Sequence, residues 1–166
     1  MTRRVVTGHD DDGKSVFLSD GEPPVARTAP DGARFLEIWS TGPAPALVTA
    51  TEPDPAAGQV VVPPPMRGTK IRMNVFPPGT ISPMHRTQSV DYGIVVTGQV
   101  VLVLDDSERI LNAGDVVVQR GTNHRWENRS GEEARMVFVL VDGLFSDDLL
   151  ASLDRNVLGS LLHNPL

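Results

Sequence analysis

Cysteine is absent from all 166 residues, which excludes a disulfide framework and thiolate chemistry. Long apolar runs are missing too. The stretch Met136 to Val141 is among the longest, and a membrane-spanning helix needs about 20 residues. The opening Met1-Thr2-Arg3-Arg4-Val5-Val6-Thr7 reaches Asp10-Asp11-Asp12 with no apolar core segment, so no secretory signal is expected and the default location is the cytoplasm. Without secretion, the sequon Asn128-Arg129-Ser130 is read as chance. Clusters of Lys and Arg are lacking and the net charge is -6, which argues against a nucleic-acid partner. No P-loop, dinucleotide fingerprint, Ser-His-Asp set or helix-turn-helix is present. What remains is an ordinary globular composition, 40% hydrophobic and 22% charged, long enough for one domain over residues 1–166.

Proline is scarce where a sheet would need it to be. Thirteen of the fourteen prolines lie at or before Pro83, and only Pro165 follows. Proline cannot donate to a ladder and avoids central strands, so the continuous sheet is expected after Pro83. The chain therefore divides into an N-terminal arm (1–66), a strand-forming body (67–143) and a C-terminal segment (146–162). In the arm, Arg4 to Thr7 and Ser15 to Leu18 flank the turn Asp10-Asp11-Asp12-Gly13 and read as a hairpin. Ala33 to Trp39 is a further strand, and Gly42 to Pro65 is extended loop. The aspartate run lacks the later glutamate of a calcium loop and is read as a solvated turn.

Lys70 to Phe76 alternates apolar and polar residues and is stopped by Pro77-Pro78-Gly79. Strands follow at Tyr92 to Val96, Val100 to Leu104, Arg109 to Leu111, Asp115 to Gln119, His124 to Asn128 and Arg135 to Val141. Gly98, Gly114, Gly121 and Gly131 punctuate them. Short strands at regular spacing with glycine turns predict an all-β sandwich or barrel. The tail changes period: Ser146 can cap a helix, Asp147 and Asp148 suit its first turn, and Leu149, Leu150, Leu153, Val157, Leu158, Leu161 and Leu162 recur at helical spacing. That stripe is expected to pack on the outside of the sheets, with a homodimer contact as the second reading.

The stretch from Pro83 to Asn128 resembles the paired motifs of the cupin family. The family's first motif is glycine, five residues, His-x-His, three or four residues, Glu, six residues, glycine. Gly79, His85, Asp91 and Gly98 fall on those places. The second begins at a glycine and ends Gly-x-x-His-x-x-x-Asn, matched by Gly114, Gly121, His124 and Asn128. Thr87 stands where the second histidine belongs and Asp91 replaces the glutamate. The second motif is one residue short before Gly121, with Gln119 in place of the usual proline. The resemblance implies a double-stranded β-helix, the jelly-roll barrel, to which the residue pattern adds an N-terminal β arm and a C-terminal α-helix.

Residues two apart on a strand share a face, which puts His85 with Thr87, and His124 with Trp126 and Asn128. Two histidines and a carboxylate make a facial ligand set with open positions. The expectation is one divalent metal ion (Fe, Mn, Ni or Zn) on His85, Asp91 and His124, with Thr87, Gly93, Trp126 and Asn128 lining a pocket for a small organic molecule. Asp91, a methylene shorter than glutamate, can instead bond His85 from behind. Gly93 either leaves space near the metal or marks a bulge. Alternation turns Arg86 and Arg125 toward solvent or an interface, with a carboxylate contact at the pocket mouth as the minor alternative, and nothing is assigned to His9. The implied activity is that of a metal-dependent enzyme of oxygenase, isomerase, lyase or decarboxylase type. A non-catalytic binding or sensor protein with a degenerate metal site is the alternative.

Overall fold

In the computed structural model, residues 3–22, 25–28, 34–37 and 62–153 are described. Among these residues eleven strands run in chain order: β1 Arg4–His9, β2 Ser15–Gly21, β3 Val25–Thr28, β4 Arg34–Glu37, β5 Thr69–Phe76, β6 Ser89–Thr97, β7 Gln99–Val103, β8 Glu108–Asn112, β9 Val116–Arg120, β10 Arg125–Glu127 and β11 Ala134–Asp142. A helix α1, Asp147–Ser152, follows. The larger sheet has the order β2-β1-β9-β6-β11-β5, the smaller β10-β7-β8, and β3 with β4 makes a hairpin. The arm hairpin forms where the aspartate turn predicts it, and its first strand runs parallel to β9.

The two main sheets share one apolar core. Val5, Phe76, Val95, Val117, Met136, Phe138 and Leu140 come from the larger sheet, and Val100, Leu102, Leu111 and Trp126 from the smaller. Burying these faces is what holds the layers together. The sheets are not closed into a barrel by their ladders, which corrects the expectation of a closed wall. They are joined at one margin by the segment after β5. Gly79 and Ser82 donate to the carbonyls of Asn128 and Trp126, and His85 and His124 exchange both backbone bonds at 2.9 Å. Residues 79–85 thus run antiparallel along the outer edge of β10.

Gly98 shows why the β6–β7 turn needs glycine. Its φ is 75°, and a Cβ there would lie 2.7 Å from the Ala134 Cα. L-residues with a side chain rarely tolerate either condition.

Strand β5 reverses the usual sidedness. Ile71, Met73 and Val75 face outward and are exposed, whereas Lys70, Arg72, Asn74 and Phe76 turn inward. The helix is shorter than the leucine spacing predicts. Ser146 caps it as expected, its hydroxyl accepting from the Leu149 amide, but Leu153 is already extended (ψ 132°) and ends it. The rest of the stripe, Val157 to Leu162, lies outside the described residues, as do residues 42–61 of the proline-rich loop.

Candidate functional site

His85 and His124 meet. Their ring centroids are 4.3 Å apart and tilted by 52°, on segments held in register by their backbone bridge. Each ring is pinned the same way. His85 Nδ1 lies 2.9 Å from the Pro83 carbonyl and His124 Nδ1 2.9 Å from the Thr122 carbonyl. A carbonyl only accepts, so both Nδ1 atoms carry the proton and both Nε2 atoms keep a lone pair. Burial lowers the basicity of both, and His124 falls to about 3, chiefly through burial with a smaller push from His85. Both rings are neutral at pH 7, the state that can bind a metal ion.

Trp126 walls this pair on the core side. It is 4% exposed, with its ring edge-on to His124 (6.2 Å) and to Phe138 (5.4 Å). It is one of the groups that bury His124, and burial is the main reason that imidazole is hard to protonate.

Asp91 is buried on β6 and is held by hydroxyl groups. Ser89 Oγ donates to its Oδ1 at 2.7 Å and lies 2.9 Å from Thr87 Oγ1. Burial raises its carboxyl to about 6, against the opposing pull of Ser89, the Arg72 cation and Thr87. Among the described residues no three His, Asp or Glu side chains are grouped closely enough to hold a metal ion. The structure therefore brings together two of the three expected ligands. Asp91 belongs to a separate hydroxyl-lined cluster with Thr87, and it makes no hydrogen bond to His85.

Gly93 and Asn128 have packing roles. The space at Gly93 is occupied: a Cβ there would lie 2.8 Å from Val117 Cγ1 and 3.0 Å from the Phe138 ring. The Asn128 amide donates to the carbonyls of Phe76 and Glu132 (2.7 and 2.8 Å), and its oxygen accepts from Ser130. It clasps a loop and has no hydrogen-bonding capacity left for a ligand.

Arg86 departs from the expectation set by strand alternation. It is 2% exposed, donating to the Gly121 carbonyl (2.6 Å), to His9 Nε2 (2.9 Å) and to Ser15 Oγ (3.4 Å). The bridge to residue 124 rotates this segment so that Arg86 enters the seam beside the arm. His9 thereby gains a partner, and burial with the nearby Arg86 cation lowers its basicity.

Two inward residues were not expected in the site, Gln119 having been read only as a departure from the second motif. Gln119 pairs in register with Asp91, one strand over. It is 2% exposed, and neither its amide nitrogen nor its oxygen has a hydrogen-bond partner among the described residues. Arg72 enters from β5, with a buried Nε that lacks a partner among the described residues and one long bond from Nη1 to the Val62 carbonyl (3.4 Å). The polar inward phase of β5 was the available signal for Arg72.

A jelly roll of two facing sheets with a histidine pair at their joined margin is the class this architecture defines. The chain belongs to the cupin family: residues 72–140 match its "Cupin domain" model. "Phomopsin biosynthesis cluster protein C'" of Diaporthe leptostromiformis is 40% identical over 148 residues, spanning 84% of this chain and 77% of that one. "Cupin-domain-containing oxidoreductase fogC" of Aspergillus ruber is 38% identical, spanning 84% and 71%. A solved cupin 2 conserved barrel domain protein from Salinispora arenicola is 23% identical with a TM-score of 0.43, over 64% of this chain and 97% of that one.

Proposed function

We propose that the protein is a metal-dependent cupin oxidoreductase acting on a small organic molecule held between the two sheets. The observation that carries this reading is the His85–His124 pair: two neutral imidazoles 4.3 Å apart with both Nδ1 protons bound to carbonyls. Fixing one nitrogen of a histidine in this way orients the other for a metal ion. His85 and His124 would hold such an ion through Nε2, the nitrogen left free on each ring. A divalent ion there (Fe, Mn, Ni or Zn) would supply Lewis acidity and, for the redox-active members, one-electron chemistry. Relatives named as oxidoreductases favour the redox-active members.

The protein's own groups have distinct tasks in this reading. His85 and His124 hold the ion, and Trp126 excludes water on one side. Asp91, with a carboxyl near 6, holds or releases a proton at its Oδ atoms under the control of Ser89 and Thr87. Metal analysis of protein purified without chelator tests the proposal, with His124→Ala as control. Oxygen uptake against β-diketones, hydroxyketones and aromatic acids then tests the activity. No ion above trace in the unmodified protein overturns it. The second reading, a binding protein without turnover, draws on Thr87 at the place of a family histidine and on the missing third ligand. Metal-loaded protein that binds small molecules without converting any would favour it.

A further inference from the structure

Buried polar atoms without partners are rare in folded proteins, because each costs about 1–3 kcal/mol of desolvation. Among the described residues, three of the five such atoms lie on the inner face of the larger sheet. Gln119 contributes both amide atoms and Arg72 its Nε. Arg72 has no carboxylate within ion-pair distance among the described residues, although its charge and that of Asp91 attract each other, and its hold on Val62 is long. The Arg86 Nε is also without a partner among the described residues, but three acceptors already occupy the two terminal nitrogens of Arg86.

The register places these residues in neighbouring rows on one face of the sheet. Val117, Gly93, Phe138 and Arg72 form one row across β9, β6, β11 and β5, and Gln119, Asp91, Leu140 and Lys70 form the next. Three strand spacings separate the backbones of Arg72 and Gln119, about 16 Å with the offset of one row. Two long side chains and a ligand of a few heavy atoms bridge that span. Asp91 lies between them, but its acceptor capacity is directed to Ser89 and Thr87.

We propose that Arg72 and Gln119 recognise a carboxylate on the small molecule this protein takes, Arg72 through its guanidinium fork and Gln119 through its amide. A planar guanidinium matches a carboxylate with two parallel bonds. The amide, both donor and acceptor, suits a neighbouring hydroxyl or carbonyl of the same acid. The inference rests on the reading of this interior as a small-molecule site, and it names the class of molecule: a compact organic acid rather than its neutral ester or amide.

Calorimetric titration with pyruvate and benzoate, and with their methyl esters, tests it on chelator-treated and metal-reloaded protein. The acids should bind about tenfold or more tighter than the esters in both forms. Arg72→Met should abolish that preference, Arg72→Lys should retain part of it, and Gln119→Leu should weaken the acids by several-fold. Equal binding of acid and ester by the wild type overturns the proposal, as does an unchanged preference in Arg72→Met. If Arg72→Met does not fold, the wild-type ratio and Gln119→Leu still decide. Acid preference in protein that takes up no metal would retain this inference and remove the metal reading. Full metal loading without acid preference would do the reverse.

Discussion

His85 and His124 exchange both backbone hydrogen bonds, and each ring donates Nδ1–H to the carbonyl two residues before it. The backbone thereby sets the tautomer and the aim of both rings. Removing an outer partner of a metal-bound histidine typically costs 10–100-fold in affinity. Loss of a ligand itself should exceed this. His85→Ala and His124→Ala are each expected to weaken divalent-ion binding by more than about 100-fold, measured by competition with a chromogenic chelator. Retention of wild-type affinity in either would remove that ring from the site.

Asp91 and His124 should oppose each other in the acid stability of the ion-free protein. His124 is held down to about 3 in the folded chain, below the ordinary 6.5, so its contribution is full above pH 6.5 and lost as pH falls toward 3. Asp91 is held up at about 6, above the ordinary 3.8, so its contribution is full below 3.8 and lost as pH rises through 6. Asp91→Asn removes only the second effect. Relative to wild type, the variant should gain stability from pH 4 to 8, by up to about 3 kcal/mol. Urea unfolding across that range measures it, and a flat difference would mean that Asp91 titrates normally.

Trp126 links core and site. Truncation to alanine empties the space between His124 and Phe138 and should cost about 3–5 kcal/mol in urea unfolding. It should also admit water to His124, so the imidazole protonates more easily and its NMR titration midpoint moves upward. A stability loss with no change in that midpoint would separate Trp126 from the histidine.

Asn128 should behave as a structural clasp. Asn128→Asp removes the two donors to the buried carbonyls of Phe76 and Glu132, at a cost of about 1–3 kcal/mol for each group left unpaired. Folded Asn128→Asp protein should still bind metal and small acids with wild-type affinity. A selective loss of either, without loss of stability, would place the side chain in the site.

The strands of the body were legible because glycine turns and alternation act over a few residues. The match extends to β6, β7, β8, β9 and β11, each within a few residues of its predicted span. The pairing of His85 with His124 was legible through the family motifs, which encode a long-range contact that local pattern alone does not reveal. Helix α1 was legible at its start, where Ser146 and two aspartates act locally. Its early end at Leu153 was not, since the leucine spacing continues past it.

By itself the sequence determined where strands begin and turn, which residues share a face, and that two histidines stand at motif positions 39 residues apart. Only the tertiary structure decided which face looks inward. Alternation has period two and no preferred sign, so β5 turned Arg72 to the interior and left Ile71 and Met73 outside. Arg86 was drawn into the seam by the neighbouring bridge, and Asp91 was held by Ser89 and Thr87 apart from the histidines. Such choices depend on the strands packed alongside, whose contacts span tens of residues of chain.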